Sequence, residues 1–419
     1  MRTNLRRLLS VALSAICILS IHARHQILSP TVKTLQVVVG EEWTRSMPVM
    51  QLHSTDILHL GFDELSHTYH RFIVHLEHCN PDWTPTEGLF ESEWLEGFND
   101  IAIEDYVNSL NTTVLYTHYR YELPNSEQRL KLSGNYRLHV IDESDDDREV
   151  LVAEFCVVEP LMDVSLGVTT NTSVDHNNRY QQVSMVVSYK DLRVTNRSEE
   201  IQTCVMQNGR EDNMRWNVPH NFATPKGLKW EHNRELIFEG GNEYHKFEML
   251  DVSHPTMGLE HVVWNEDERR FHAYPFQCEP RRAYLYDEDA NGAFYVRNSD
   301  NIENDRISDY LWVHYKLSPA HYYEDACLVV DGQWTTESPE TYQMTYDAGD
   351  QSYNAVILQK QGYYNYQLLM KDLAGESHVV PEEGSFYQTE NQYEGMVYYR
   401  PVGARAWRLV GYQEVGFRP

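Results

Sequence analysis

Hydrophobic residues recur at every second position in short runs along most of this chain, and that period constrains the fold more than any other feature. Phe72, Val74 and Leu76 alternate with Ile73, His75 and Glu77, while Tyr136, Leu138 and Val140 alternate with Arg137 and His139. Val183, Met185, Val187 and Tyr189 repeat the pattern, as do Leu311, Val313 and Tyr315. Successive side chains of a strand point to opposite faces, so each run presents one apolar face. Gly, Asn, Asp and Pro split the runs, with Asp331-Gly332, Asn208-Gly209 and Asn291-Gly292 as candidate tight turns. No sustained amphipathic helix follows the N-terminal segment. The predicted fold is all-β, built from tandem immunoglobulin-like, antiparallel β-sandwich domains.

Arg2, Arg6 and Arg7 precede the apolar stretch Leu8 to Ile21, and Ile21-His22-Ala23 offers a small residue before a cut. Residues 1–23 therefore read as a secretory signal. The stretch falls short of the ~20 apolar residues of a spanning helix. A lipoprotein signal would carry a small residue before its cysteine, and Ile16 precedes Cys17. The mature chain is expected to be exported, with no direct membrane insertion. Three domains are expected: an N-terminal β-sandwich over 24–159, a middle β domain over 160–279, and a C-terminal immunoglobulin-like β-sandwich over 280–419. The first boundary follows the strand pattern Val150 to Val158, and the second precedes strand-like Ala283 to Tyr286.

The formal charge is −28, and it grows more negative once Arg2, Arg6 and Arg7 leave. Nucleic acid and anionic headgroups repel such a chain, so no nucleic-acid partner is expected. A hydrophobic content of 41% with 28 tyrosines supplies enough apolar surface for packed cores and excludes disorder. The mature chain keeps Cys79, Cys156, Cys204, Cys278 and Cys327, an odd number. Two readings stay open: reduced thiols buried in strands, or the local pairs Cys79–Cys156 and Cys204–Cys278.

Candidate chemistry fails on spacing. No CxxC or closely spaced Cys/His set is present, which argues against zinc. His67, His70, His75 and His78 crowd together, but strand positions three apart face opposite ways, so His75 and His78 cannot share an ion. His67 and His70 could meet only across a turn. Asp287 to Gly292 imitates the start of a calcium loop, yet Asn298 stands where the bidentate glutamate belongs. The acidic run Asp142 to Asp147 reads as a solvated hairpin loop. There is no nucleophile elbow, phosphate loop, HExxH pair or dinucleotide fingerprint. No catalytic residue, metal site or cofactor is expected.

One segment breaks the alternation: His78-Cys79-Asn80-Pro81-Asp82-Trp83-Thr84-Pro85. Its prolines exclude a regular helix, and a short polar turn or one helical turn closed by Gly97 follows. Trp83, Trp94 and Phe98 stand among carboxylates and turn formers, so either the domain's own core or a partner must bury them. Asp82, Trp83, Trp94, Phe98 and Asn99 are thus candidate partner contacts, with stapling onto their own sandwich as the open alternative. Asp331-Gly332-Gln333-Trp334-Thr335 resembles a turn of early-set immunoglobulin-like domains beside glycan-active enzymes. Trp334 is accordingly a glycan-stacking candidate, unless it plugs a core. The tyrosines Tyr363, Tyr364 and Tyr366, and the pair Tyr398-Tyr399, divide in the same way.

Several of these blocks together carry a family resemblance. They are the HCNxDWxP-like stretch His78 to Pro85, Glu93-Trp94-Leu95-Glu96-Gly97-Phe98-Asn99, Tyr116-Thr117-His118-Tyr119, Leu123-Pro124-Asn125 and Ser133-Gly134-Asn135-Tyr136. The run Phe386 to Asn391 with Val397-Tyr398-Tyr399-Arg400-Pro401 completes the set. In this order and spacing the chain resembles the plug-protein family of the bacterial type IX secretion system, over nearly its whole mature length. The resemblance implies a non-enzymatic periplasmic protein, peripheral to the outer membrane. It would dock on the large outer-membrane β-barrel translocon of type IX secretion and close the channel when cargo is absent. The competing reading is an exported glycan-binding β-sandwich protein, resting on Trp334 and the tyrosines.

Overall fold

Each alternating run becomes a strand, and its apolar face becomes core, in a computed structural model that describes residues 25–418. The signal expected over 1–23, with Cys17, lies outside the described residues. In the first sandwich, Phe72–Cys79, Gly134–Asp142 and Arg148–Val158 lie antiparallel, with Leu138 opposite both Leu76 and Ala153. The facing sheet runs Val32–Val39, Leu58–Glu64, Thr117–Leu123, Asp105–Asn108. Phe62, Phe72, Val74, Leu76, Tyr136 and Leu138 are buried between the two. Phe72 meets Phe62 and Tyr119 edge-on at 5.2 and 4.7 Å, the geometry that ring quadrupoles favour. The acidic run after Ile141 forms the hairpin turn between the second and third strands.

Val183, Met185 and Val187 of Tyr180–Ser188, with Tyr189 directly after the strand, line a second core with Trp230. The layer facing Tyr180–Ser188 combines Ile201–Gln207 with the last hairpin of the chain, Asn391–Tyr399 and Arg408–Phe417. That hairpin also reaches the first sandwich, where Leu409 pairs in parallel with Val158. One ten-stranded sheet therefore runs through both. Asn391–Tyr399 is covered on both faces, which buries Tyr399 in the second core and Tyr398 in a fourth that holds Cys156, Cys204 and Trp407.

In the third sandwich, Leu311, Val313 and Tyr315 of Tyr310–Leu317 face Tyr364 and Tyr366 of Gly362–Asp372. The strand expected at Ala283 to Tyr286 does not form. This segment joins no ladder, Leu285 is 80% exposed, and Tyr284 donates to Glu243 Oε1 at 2.6 Å. Apolar residues make a strand only where an open sheet edge receives them.

The first and third sandwiches meet around a buried carboxylate. Asp63 accepts from Lys360 Nζ at 2.7 Å and Tyr310 OH at 2.6 Å, and lies 2.6 Å from His118 Nδ1. Among the described residues, α-helix is limited to the turns Glu91–Trp94, Arg197–Glu200 and Asn304–Ile307. None is long and apolar enough to cross a membrane. The five described cysteines form no disulfide, and all but the half-buried Cys327 are buried.

Candidate functional site

Strand Phe72–Cys79 delivers the chain to a turn that its own polar atoms close. Asn80 N donates to Thr84 O at 2.8 Å, and Trp83 N donates to Asn80 O at 2.9 Å. Asp82 Oδ1 accepts from Thr84 Oγ1 at 2.6 Å and from its backbone N–H at 3.2 Å. Trp83 adopts a left-handed φ of 63°, which turns its half-buried indole onto the fourth core. Asn135 holds the turn from behind, its Nδ2 donating to Asn80 O and Pro81 O at 3.3 Å each. Its Oδ1 accepts from Tyr398 OH at 2.9 Å and Cys156 Sγ at 3.3 Å. One amide thus joins three blocks that are far apart in sequence.

The motif glycines have steric reasons. Gly134 takes φ 150°, and a Cβ there would sit 2.6 Å from His78 Nε2. Gly97 takes φ 103°, and a Cβ there would sit 1.7 Å from Glu127 O. His78 itself is buried, with Nδ1 2.9 Å from Thr86 Oγ1 and Tyr136 edge-on at 5.0 Å. Burial pushes its pKa down to about 4, against the pull of the Ser133 carbonyl, so the ring is neutral.

The five candidate contacts do not present one surface. Asp82 builds the turn. Asn99 closes a sheet edge as a strand would, with Oδ1 accepting from Leu76 N at 2.8 Å and Nδ2 donating to Leu76 O at 2.9 Å. Trp94 ends the helical turn Glu91–Trp94 inside the first core, 5.9 Å from Tyr136, so it offers no face to a partner. Trp83 is half covered. Of the three aromatics only Phe98 stands out, 72% exposed.

Phe90 and Val402, 73% and 79% exposed, are further apolar side chains that sequence reasoning missed. Phe90 stands at the N-cap of Glu91–Trp94 with no side-chain acceptor, where Ser, Thr, Asp or Asn is favoured. A bulky apolar residue in that slot is the signal that could have marked it. Val402 lies on the loop that Arg405 ties to the first sandwich, through Gly88 O at 2.8 Å and the Glu93 carboxylate.

Trp334 plugs the third core, with Nε1 donating to Asn365 O at 2.8 Å and rings of Tyr315, Tyr342 and Tyr364 around it. It offers no glycan platform, and Tyr364 and Tyr366 are buried with it. His67, His70 and His75 each have a separate partner, in Ser109, Asp142 and Asp100.

Residues 32–159, which hold the Asn80 turn, the Glu93 to Asn99 block and Asn135, match the family described as Type 9 secretion system plug protein 1st domain. No curated protein matches the chain. A crystal structure described as a hypothetical protein from Parabacteroides merdae ATCC 43184 is 33% identical, with a TM-score of 0.90. That likeness covers 95% of this chain and 100% of the other, so the two share their fold through all three sandwiches. The chain belongs to the type 9 secretion system plug protein family, which is not a known family of enzymes and places it in that secretion pathway.

Proposed function

We propose that this protein is a non-enzymatic plug. Exported on a cleaved signal, it docks in the periplasm on the large outer-membrane β-barrel translocon of type IX secretion, and closes the channel when cargo is absent. Family membership supports the pathway. The docking reading is carried by Phe90, Phe98 and Val402, exposed by 73%, 72% and 79% on two loops that Arg405 links. Large apolar side chains held outward on a braced loop are the residue type and setting of interface anchors. Trp94, Gly97 and Asn99 fix the loop beneath them, so docking orders little that is not already ordered. Closure is steric. Opening requires cargo or another subunit to bind the undocked state better than the docked one.

The test is a mild-detergent pull-down of the tagged protein from its native envelope, alongside a Phe90→Ser, Phe98→Ser double variant. A very large outer-membrane barrel should come with the wild type and be lost from the variant, at unchanged melting temperature. A wild-type protein recovered alone would overturn the docking. A barrel that still follows the variant would overturn these loops as the contact.

A further inference from the structure

The third sandwich brings together three donor atoms of different chemistry. An imidazole nitrogen of His245, the sulfur of Cys278 and a carboxylate oxygen of Glu383 all lie within 4.8 Å of one another. They arrive from separate places: the start of strand His245–Glu248, the bridge of Cys278 to Leu317, and the turn after Val380. Cys278 and Glu383 are each 3% exposed, while His245 is half-buried and leaves an approach from one side. We propose that these three side chains form a zinc-binding site, distinct from the docking loops and separate from any role in closing the channel.

Zinc takes tetrahedral sets of thiolate, imidazole and carboxylate, and an open fourth position for water is common. The surrounding groups suit that assignment. Tyr366 stacks on the His245 ring at 5.1 Å, and its hydroxyl lies 3.5 Å from Cys278 Sγ, so one side chain orients two ligands. Arg281 supplies positive charge beside the three donors. Its Nε donates to Glu383 Oε2 at 3.0 Å, Nη1 donates to Glu243 O at 2.7 Å, and Nη2 lies 3.0 Å from His245 Nε2. The Glu383 carboxylate is 3% exposed and bound by the Arg281 guanidinium, and a divalent ion competes with the guanidinium for it. Wide sequence separation of the three ligands explains why a search for closely spaced cysteine and histidine finds nothing here.

The experiment titrates the purified, chelator-stripped protein with zinc, and with cobalt(II) as an optical probe. One equivalent should bind and give a thiolate-to-cobalt charge-transfer band. Cys278→Ser and His245→Gln should lose it, with affinity down by more than the roughly 10–100-fold that outer-shell changes cost. Cys327→Ser should keep it. Arg281→Gln leaves all three ligands in place and removes a nearby positive charge, so it should tighten binding by about tenfold or more. This variant needs no ligand removed, which keeps the test decisive if Cys278→Ser does not fold. A missing thiolate band, a band that survives Cys278→Ser, or an Arg281→Gln protein that binds no tighter would overturn the site.

Discussion

Lys360 Nζ lies 2.7 Å from Asp63 Oδ2, with the two side chains 1% and 0% exposed, so an ammonium of the third sandwich neutralises a carboxylate of the first. Burial would raise the Asp63 pKa, but Lys360 and then His118 outweigh it and hold the carboxyl below its ordinary range. The ammonium also sits 4.0 Å from the centre of the Tyr116 ring. Removing one partner of such a pair leaves the other charge buried alone. Asp63→Asn and Lys360→Met should each cost about 3–5 kcal/mol, and the double variant far less than their sum. Denaturant unfolding of the four proteins measures this, and additive losses would mean the two residues act independently.

Gly97 and Gly88 separate backbone strain from steric collision. Both have positive φ, 103° and 78°, but a Cβ on Gly88 meets nothing within 4 Å whereas one on Gly97 runs into Glu127 O. Gly88→Ala should therefore cost about 1 kcal/mol, from the left-handed backbone alone. Gly97→Ala must also break the pairing of Gly97 with Gln128 and should cost more than about 3 kcal/mol. Equal shifts in melting temperature would contradict the collision.

The Asn135 amide predicts a measurable coupling between motif blocks. Tyr398→Phe removes one hydrogen bond to Asn135 Oδ1 and should cost about 1–2 kcal/mol. Asn135→Ala also strips the donors from Asn80 O and Pro81 O, and should cost more. In a double-mutant cycle the two changes should be less than additive, by about 0.5–1.5 kcal/mol. Strict additivity would show that Tyr398 and the Asn80 turn are held independently.

What could be read from the residues was local. The alternation at Phe72 to Leu76 or Leu311 to Tyr315 reports which face a strand buries, and the cores contain those side chains. Alternation does not report the neighbour. Nothing in Asn391 to Tyr399 announces that it pairs with Ile201–Gln207, or that Leu409 joins Val158. The loop aromatics show the same limit. Trp83, Trp94 and Phe98 look alike in sequence, yet a left-handed turn folds the first onto a core, a helical turn carries the second into another, and only the third stays outside. Convergence over long separations, as at Asp63 with Lys360 or at His245 with Cys278 and Glu383, has no sequence period at all.

His78 should give the fold an acid-sensitive component. Its folded pKa is depressed to about 4 by burial, while the unfolded ring titrates near ~6.5. Above that unfolded value both states are neutral, and the full stability is present. As pH falls below it, the unfolded chain takes up a proton that the folded ring refuses, so stability declines until the folded pKa is reached. His78→Gln should show a shallower fall between about pH 6.5 and pH 4, by at most about 1.4 kcal/mol per pH unit. Urea midpoints across that window give the comparison, and parallel curves for the two proteins would remove His78 from the account.

Trp94 and Phe98 lie four residues apart in one motif, and they should separate packing from docking. Trp94 is 7% exposed within the first core, so Trp94→Ala leaves a cavity and should cost about 3–5 kcal/mol. Phe98 is 72% exposed, so Phe98→Ala should change stability by no more than about 0.5 kcal/mol. If the outward face of this loop meets the translocon, Phe98→Ala should weaken co-purification of the barrel while its melting temperature stays at the wild-type value. Trp94→Ala should lower the melting temperature first, and lose the barrel only as far as the loop loses its shape. A Phe98→Ala protein that keeps full recovery, beside a Trp94→Ala protein that loses it in proportion to unfolding, would make the motif a packing device and place the contact on another surface.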